Sequence, residues 1–478
     1  MKLHTLTGAL ALAGLLSACS MAPTYEKPAA PIAANWPYAQ AHASAAVTAA
    51  ATPVPWQQFF GNAPLQEVIA LTLAHNRDLR AAALNAESFQ ALYRIQKADT
   101  APTIGAQAAG TRQRLPADVA NADAPVTSGT YTVGLGMVAY ELDLFGRVRS
   151  LNEQALQTYL AMDSTRKATE LSLVAAAASA WIAWQADQQM LDIVTRTLAA
   201  NEQALQLIVA QVEHGIATDL QRHQAQSAVD SARAQHAQLV RAVEQDLNAL
   251  QALVGAPLPA SVLDTRVAPQ DWQLAALPVG LPAQVLQQRP DILAAEQQLQ
   301  AANANIGAAR AAFFPSISLT ASAGTASSDL SGLFQGGSGA WSFAPQINIP
   351  LFSSGRLQAN LDYATLQKDL RVAQYEKAIQ TALREVADGL SARHTLVRQL
   401  QANQDLVSTT GQYLNLAQLR YDAGVDSYLT VIDAQRSLLG AELGAAQTAL
   451  QQALSEVGLF KALGGGMLGM PEKPAAGQ

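Results

Sequence analysis

In the last third of the chain, positions that are mostly apolar recur at alternating intervals of three and four. Backwards from Tyr421 they are Ala417, Leu414, Thr410, Val407, Asn403, Leu400 and Leu396. Forwards run Leu429, Ile432, Arg436, Leu439, Leu443, Ala446, Leu450, Ala453, Val457 and Phe460. The mean spacing of about 3.5 residues is the one that packs a helix along another helix. Gly424 lies between the two series and suits the left-handed residue that ends a helix. The pattern therefore predicts a long helical hairpin with its tip in 420–439, where Asp422, Asp426 and Asp433 cluster.

The same order of elements is written twice. A helical period over 64–99 stops at Pro102, and strands are predicted at about 102–113 and 130–141. A long helix over 147–214, a turn at Gly215 and a helix over 219–254 follow. Pro257, Pro259, Pro269, Pro278 and Pro282 mark an irregular connector. Then Arg289-Pro290-Asp291-Ile292, on a helix predicted for 282–312, echoes Asn76-Arg77-Asp78-Leu79. Phe314-Pro315-Ser316-Ile317 echoes Ala101-Pro102-Thr103-Ile104 at an offset of 213. Leu351-Phe352-Ser353-Ser354-Gly355-Arg356 answers Leu144-Phe145-Gly146-Arg147, and Gly424 answers Gly215 at an offset of 209. Drifting offsets are what loop insertions produce, so the chain is an internal duplication. The expected divisions are a removable leader (1–18), a linker (19–60), a first repeat (61–255), a connector (256–281), a second repeat (282–463) and a tail (464–478). The long helices, 147–214 and 356–423, would each run ~100 Å if continuous. Gly389 is a candidate break in the second.

The strands alternate. Ile317, Leu319, Ala321 and Ala323 oppose Ser316, Ser318, Thr320 and Ser322. Trp341, Phe343, Pro345, Ile347, Ile349 and Leu351 oppose Ser342, Ala344, Gln346, Asn348 and Pro350. In the first repeat Tyr131, Val133, Leu135, Met137 and Ala139 oppose Thr132, Gly134 and Gly136, and Ile104, Ala106 and Ala108 form a weaker series. Such runs fit membrane strands that turn apolar residues to lipid and polar ones to a lumen, although a sheet packed on a helix alternates in the same way. Four strands cannot close a barrel, and an open edge in lipid leaves backbone groups unsatisfied. Membrane strands would therefore have to be pooled from several chains. Since small barrels need about eight strands, three copies contributing twelve would suffice.

Composition narrows the function. Charged residues make up 14% and aromatics 6%, while small alanines abound, which suits closely approaching helices with weakly charged faces. A net charge of −7 without a basic cluster disfavours nucleic acid. Lys2 and an apolar run from about Leu6 to Leu16 form a secretory leader. It ends in Leu16-Ser17-Ala18-Cys19, which resembles a bacterial lipobox, so Cys19 is expected to carry lipid and anchor the mature chain in the outer membrane. Cys19 is the sole cysteine, so no internal disulfide can form. The longest later apolar segment, 171–184, falls short of the roughly 20 residues a membrane helix needs and is expected to pack against protein. Seven scattered histidines, with no metal-spaced cysteines, P-loop or nucleophile elbow, give no support to an enzyme, a metal site or a bound cofactor. Glu213-His214 near Asp219 is better explained as a helix-end turn.

Together the lipobox, the duplication and the run Gly424-Val425-Asp426-Ser427-Tyr428-Leu429-Thr430-Val431-Ile432-Asp433-Ala434-Gln435-Arg436 resemble outer-membrane efflux channels of the TolC/OprM type. The resemblance covers essentially all of 19–461. It implies a mainly α-helical chain with a membrane β-barrel: a homotrimer in which each protomer gives four strands to a twelve-stranded barrel and four helices to a periplasmic tunnel. It also implies partners, namely a periplasmic adaptor (membrane fusion protein) and an inner-membrane RND-type transporter, with this chain as a passive conduit. By the same resemblance Val425, Leu429 and Asp433 would line a periplasmic gate and Arg420 and Tyr421 would help latch it. Gly215, Thr218, Asp219, Gly424, Asp426 and Ser427 would belong to adaptor-docking hairpin tips. An apolar ring beside a carboxylate ring is a reasonable constriction, since such rings gate by dewetting and favour cations. The competing reading is a periplasmic coiled-coil lipoprotein without channel activity, which leaves the alternating strands without a role.

Overall fold

The computed structural model describes residues 21–29, 54–277 and 289–465. The leader, Cys19, most of the linker, part of the connector and most of the tail lie outside the described residues. The described chain forms two compact units.

One unit comprises 21–29, Asn85–Asp163 and Ala294–Glu376 and carries the sheet. Its strands β1 (Ile104–Leu115), β2 (Val126–Leu142), β3 (Ser316–Ser327) and β4 (Gly339–Asn348) are antiparallel in the order β1-β2-β3-β4. The register puts like with like across all four. Ile104, Met137, Ala321 and Phe343 form one row, and Ala106, Leu135, Ala323 and Trp341 another. Between these apolar rows lies a row of Gly105, Gly136, Ser322 and Ser342, in which the two serine hydroxyls lie 2.8 Å apart. One face is therefore apolar and the other small and polar, which is the alternation the pleat imposes. Trp341, Phe343 and Ile347 remain 80%, 58% and 61% exposed, so among the described residues nothing covers the apolar face there.

Two strand expectations need correction. Each first-repeat strand extends beyond the predicted end, β1 to Leu115 and β2 back to Val126. A bulge between Met137 and Tyr140, with Ala139 at φ 51°, interrupts the alternation, so Ala139 does not continue the Tyr131–Met137 face. A bulge inserts an unpaired residue and shifts the phase of the side chains beyond it.

The second unit holds the described residues of Ala30–Leu84, Ser164–Leu293 and Lys377–Gln478. Helices α1 (Ala63–His75) and α2 (Arg77–Ala98) replace the single helix expected over 64–99, because Asn76 takes an extended conformation and caps α2 through its Oδ1, which accepts from Leu79 N at 2.9 Å. The long helices α3 (Arg147–Glu213), α4 (Asp219–Val254), α6 (Arg356–Asp422) and α7 (Tyr428–Ala462) follow the predicted order, with α5 (Pro290–Ala311) opening the second repeat. Both α3 and α6 are uninterrupted over 67 residues. Gly389 does not break α6: a Cβ there would sit 3.1 Å from the Leu459 side chain, so the glycine permits close approach to α7. Among the described residues no helix is long and apolar enough to cross a membrane. The apolar segment of α3 is instead core, where Trp181, Ile182 and Ala178 are wholly buried with Leu65, Leu250 and Phe460. Phe59 stacks on Phe460 with ring centres 4.6 Å apart.

The two repeats close on themselves by one device built from different residues. Asn76 donates to Leu253 O, at the end of α4, over 2.7 Å. Its second-repeat counterpart, Arg289, donates to Ala462 O, at the end of α7, over 3.0 Å. Each tie satisfies a carbonyl that the helix leaves without an internal partner. Arg289 also pairs with Asp291 at 2.7 Å and Glu385 at 2.8 Å, so its buried charge is fully compensated.

Candidate functional site

Both hairpins end in the same turn. Gly424, at φ 71°, donates its N–H to Tyr421 O at 2.9 Å while Val425 N donates to Arg420 O at 2.9 Å. Gly215, at φ 70°, does the same with Val212 O at 3.0 Å, and Ile216 N with Gln211 O at 2.8 Å. This paired bonding caps a helix through a left-handed residue, and glycine adopts that conformation without a Cβ clash.

The side chains set on the shared turn differ. In the first hairpin Thr218 and Gln221 form a reciprocal capping box, and Arg222 pairs with Asp219 at 2.9 Å, so the turn is secured locally. In the second, Ser427 makes no side-chain cap. Arg420 instead grips Asp426 in a two-pronged pair at 2.6 and 3.0 Å. That guanidinium holds the Asp426 carboxyl below the usual carboxylate range, and the carboxylate pushes the Arg420 group up.

Tyr421 crosses to the other hairpin and donates its hydroxyl to Gln211 Oε1 at 3.2 Å. Its ring meets Tyr428 with centres 5.4 Å apart. Tyr428 is buried with Ile208, Ala225, Ala417, Val431 and Ile432 in a small apolar core that joins both tips, and that burial raises its phenol pKa. Of the expected latch residues, Tyr421 thus reaches the first hairpin, whereas Arg420 is engaged within its own turn.

The expected lining residues stand apart from this core. The predicted 3.5-residue seam is buried or half-buried along both helices, with two exceptions, Leu429 and Arg436. Val425 and Leu429 are 61% and 52% exposed, and Asp433 is exposed one turn beyond Leu429. Val425, Leu429 and Asp433 therefore face away from the protomer's own packing. Exposed apolar side chains at a hairpin tip, covered by none of the described residues, mark a surface for something else.

Two members of the site were not singled out in the sequence. Gln211 is the counterpart of Arg420 at the offset of 209, so aligning the repeats would have drawn attention to it. Tyr428 replaces Asp219 in the first hairpin, and this polar-to-aromatic exchange was also there to see.

A duplicated chain with an antiparallel sheet, apolar on one face and polar on the other, and two long helical hairpins has the fold of an outer-membrane channel. The profile of the outer membrane efflux protein family matches residues 68–256 and 281–465, and the chain belongs to that family. It is 49% identical over 453 residues to a toluene efflux pump outer membrane protein, TtgC, of Pseudomonas putida, covering 95% of this chain and 93% of that one. It is 43% identical over 458 residues to the outer membrane protein OprJ of Pseudomonas aeruginosa, covering 96% and 95%. Among solved structures, the open state of the Neisseria gonorrhoeae MtrE outer membrane channel superposes with a TM-score of 0.85 at 38% identity, covering 94% of this chain and 99% of that one. The protein is the outer-membrane component of an efflux system.

Proposed function

We propose that three copies form the exit duct of a tripartite pump, passing substrate from an inner-membrane RND-type transporter and its periplasmic adaptor to the exterior. The observation that carries this reading is the sheet. Among the described residues β1 and β4 each pair on one edge only, and their free edges cannot be left unpaired in lipid. Pairing β4 of one copy with β1 of the next, three times over, gives a closed twelve-stranded barrel, apolar outside and lined by the Gly-Ser face. The long helical hairpins would form the periplasmic tunnel, with the tips around Gly215 and Gly424 as the adaptor-docking rim. Cys19 would add acyl chains to the anchor.

The second tip is the gate. Val425 and Leu429 from three copies supply an apolar constriction and Asp433 a ring of carboxylates, while Tyr421 on Gln211 holds the movable hairpin against the fixed one. The contrast between the tips supports the division of labour: the first is braced within itself by a capping box and the Arg222–Asp219 pair, whereas the second, besides its Arg420–Asp426 pair, leans on its neighbour through the Tyr421–Gln211 bond and the core around Tyr428. The conduit is passive, so the transporter selects what passes. One relative is named for toluene efflux, which supports a cargo of small organic molecules for such a duct.

Purified protein should migrate as a heat-modifiable trimer on gels and form water-filled channels in planar bilayers. An unshifted monomer that needs no detergent would sink the reading and restore that of a structural coiled-coil lipoprotein.

A further inference from the structure

Charge is nearly absent from the sheet. Within β1 to β4 the only charged side chains are Arg112, Arg114 and Glu141. Glu141 accepts from Arg147 at 2.8 Å, at the end where the sheet continues into α3. Arg112 and Arg114 stand exposed at the other end of β1, and neither has an ion pair or side-chain hydrogen bond among the described residues. The carboxylates of the strand connections, Asp118, Asp123 and Asp329, do not pair with them.

Both arginines belong to the apolar face. Ile104, Ala106, Ala108 and Gly110 precede them at intervals of two. Across the ladder Arg112 lies beside Gly129 and Arg114 beside Thr127, in line with Tyr131, Val133 and Leu135. In β3 this face runs from Ile317 to Ser327. Those ten steps cover ~33 Å of strand. At the ~40° tilt of membrane strands that is ~25 Å of height, the thickness of the apolar band on such barrels. Tyr131 shares the row of Ser327, and its ring lies over two glycines: an added Cβ on Gly110 would be 3.0 Å from it and one on Gly129 3.4 Å. A ring with a polar tip suits the edge of the band. Arg112 and Arg114 lie one and two rows beyond that edge. An arginine on the lipid face is strongly disfavoured at mid-depth and nearly neutral at the interface, so the position explains how two such charges are tolerated.

The second repeat has no such pair. At the offset of 213 Thr325 and Ser327 stand in place of Arg112 and Arg114. A closed trimer would therefore present the pair once in every four strands.

The helices α2, α3, α5 and α6 join the sheet at the ends holding Ile104, Leu142, Ser316 and Asn348, away from the arginines. With the helices in the periplasm, Arg112 and Arg114 sit at the outer leaflet, which in a Gram-negative cell is built of phosphorylated, acylated glycolipid. We infer that these two arginines bind a phosphate group of that glycolipid and hold one lipid against each copy of β1. A guanidinium fork matches phosphate oxygens with two parallel donors. Side chains two residues apart on a strand face are ~7 Å apart, so both reach one headgroup. Gly129, opposite Arg112, puts no side chain in the way, and the apolar rows beneath receive the acyl chains. The inference rests on the proposed periplasmic placement of the helices.

Mass spectrometry of trimers released from detergent counts the bound lipid. Natural trimers given diphosphoryl lipid A should take up one lipid per copy. Arg112→Gln with Arg114→Gln should weaken that uptake about tenfold or more, because two charged forks are lost. Arg112→Lys with Arg114→Lys keeps the charge without the fork and should fall between. Lipid A stripped of its phosphates should bind natural trimers as weakly as the intact lipid binds the glutamine variant. Equal uptake by natural and glutamine-variant trimers would overturn the inference. Equal uptake of phosphatidylglycerol would overturn the choice of glycolipid, and displacement by inorganic phosphate at equal concentration would assign the arginines to free phosphate instead. Natural protein that forms no conducting trimers counts against the channel reading. Conducting trimers that ignore lipid A count against this inference alone.

Discussion

Tyr421 and Arg420 are neighbours with different work. Tyr421 spans the two hairpins through one hydroxyl bond to Gln211, while Arg420 stiffens the tip through Asp426. A neutral hydrogen bond contributes about 1 kcal/mol net, so Tyr421→Phe should shift a closed–open equilibrium about fivefold towards open. Open probability in bilayers measures this, and a change in thermal stability alone would not count. Asp426 gives a pH dependence of definite sign. Its carboxyl is held below the usual range by Arg420, so the contribution of the pair is complete above the ordinary carboxylate pKa and is lost as pH falls through the depressed value. Amide-exchange protection over 420–427 should drop in acid, and Asp426→Asn should show the low protection at every pH. The sequence made Gly424, Tyr421 and the acids conspicuous. It could not show that Asp426 is taken by Arg420, because that pairing depends on the handedness of a turn rather than on helical spacing.

At the scale of elements, the periodicity and the turn residues disclosed the long helices α3, α4 and α6 to within a residue at either end, and the order of the repeats, but not the interruptions of the shorter elements. The break at Asn76 was hidden because an asparagine inside a helical period looks like a tolerated polar residue until its side chain caps the next helix. Gly389 misled in the other direction, since a glycine that admits a neighbouring helix and a glycine that breaks its own are alike in sequence. The equivalence of Asn76 and Arg289 also becomes visible only once both reach the ends of α4 and α7. The two ties should differ in strength. Arg289→Ala removes a charged donor from Ala462 O, Glu385 and Asp291, both carboxylates being partly open to water, and should cost roughly 2–3 kcal/mol, against about 1 kcal/mol for Asn76→Ala; thermal unfolding of the assembled protein would rank them. Between α3 and α4, burial raises the carboxyls of Asp187 and Asp246, and the charge of Asp187 adds to the rise of Asp246, to about 6. An acid whose folded pKa is raised favours the fold when protonated, and that stability is lost as pH rises from the unfolded value through about 6. Asp246→Asn should therefore raise the unfolding temperature at pH 8 and leave it little changed at pH 4.

For the whole molecule, alternation in the strands predicted a sheet with one lipid-facing side, and the register across β1 to β4 aligns those apolar positions into rows. Strand count and open edges then require partners, a conclusion reached from the backbone's hydrogen-bonding needs rather than from any one residue. What one chain cannot supply is the proposed constriction, in which Val425, Leu429 and Asp433 would meet their counterparts across the symmetry axis of the proposed trimer. Their exposure, shared by Ile216 and Leu220 at the first tip, leaves them available for contacts outside the protomer. The most direct measurement is the ion conductance of the purified trimer in planar bilayers, comparing the natural protein with the double variant Leu429→Ala and Asp433→Ala. A gate at this tip predicts a raised conductance in the variant, with heat-modifiable trimers still formed. Equal conductance from equally assembled trimers would remove Leu429 and Asp433 from the gate and contradict the assignment.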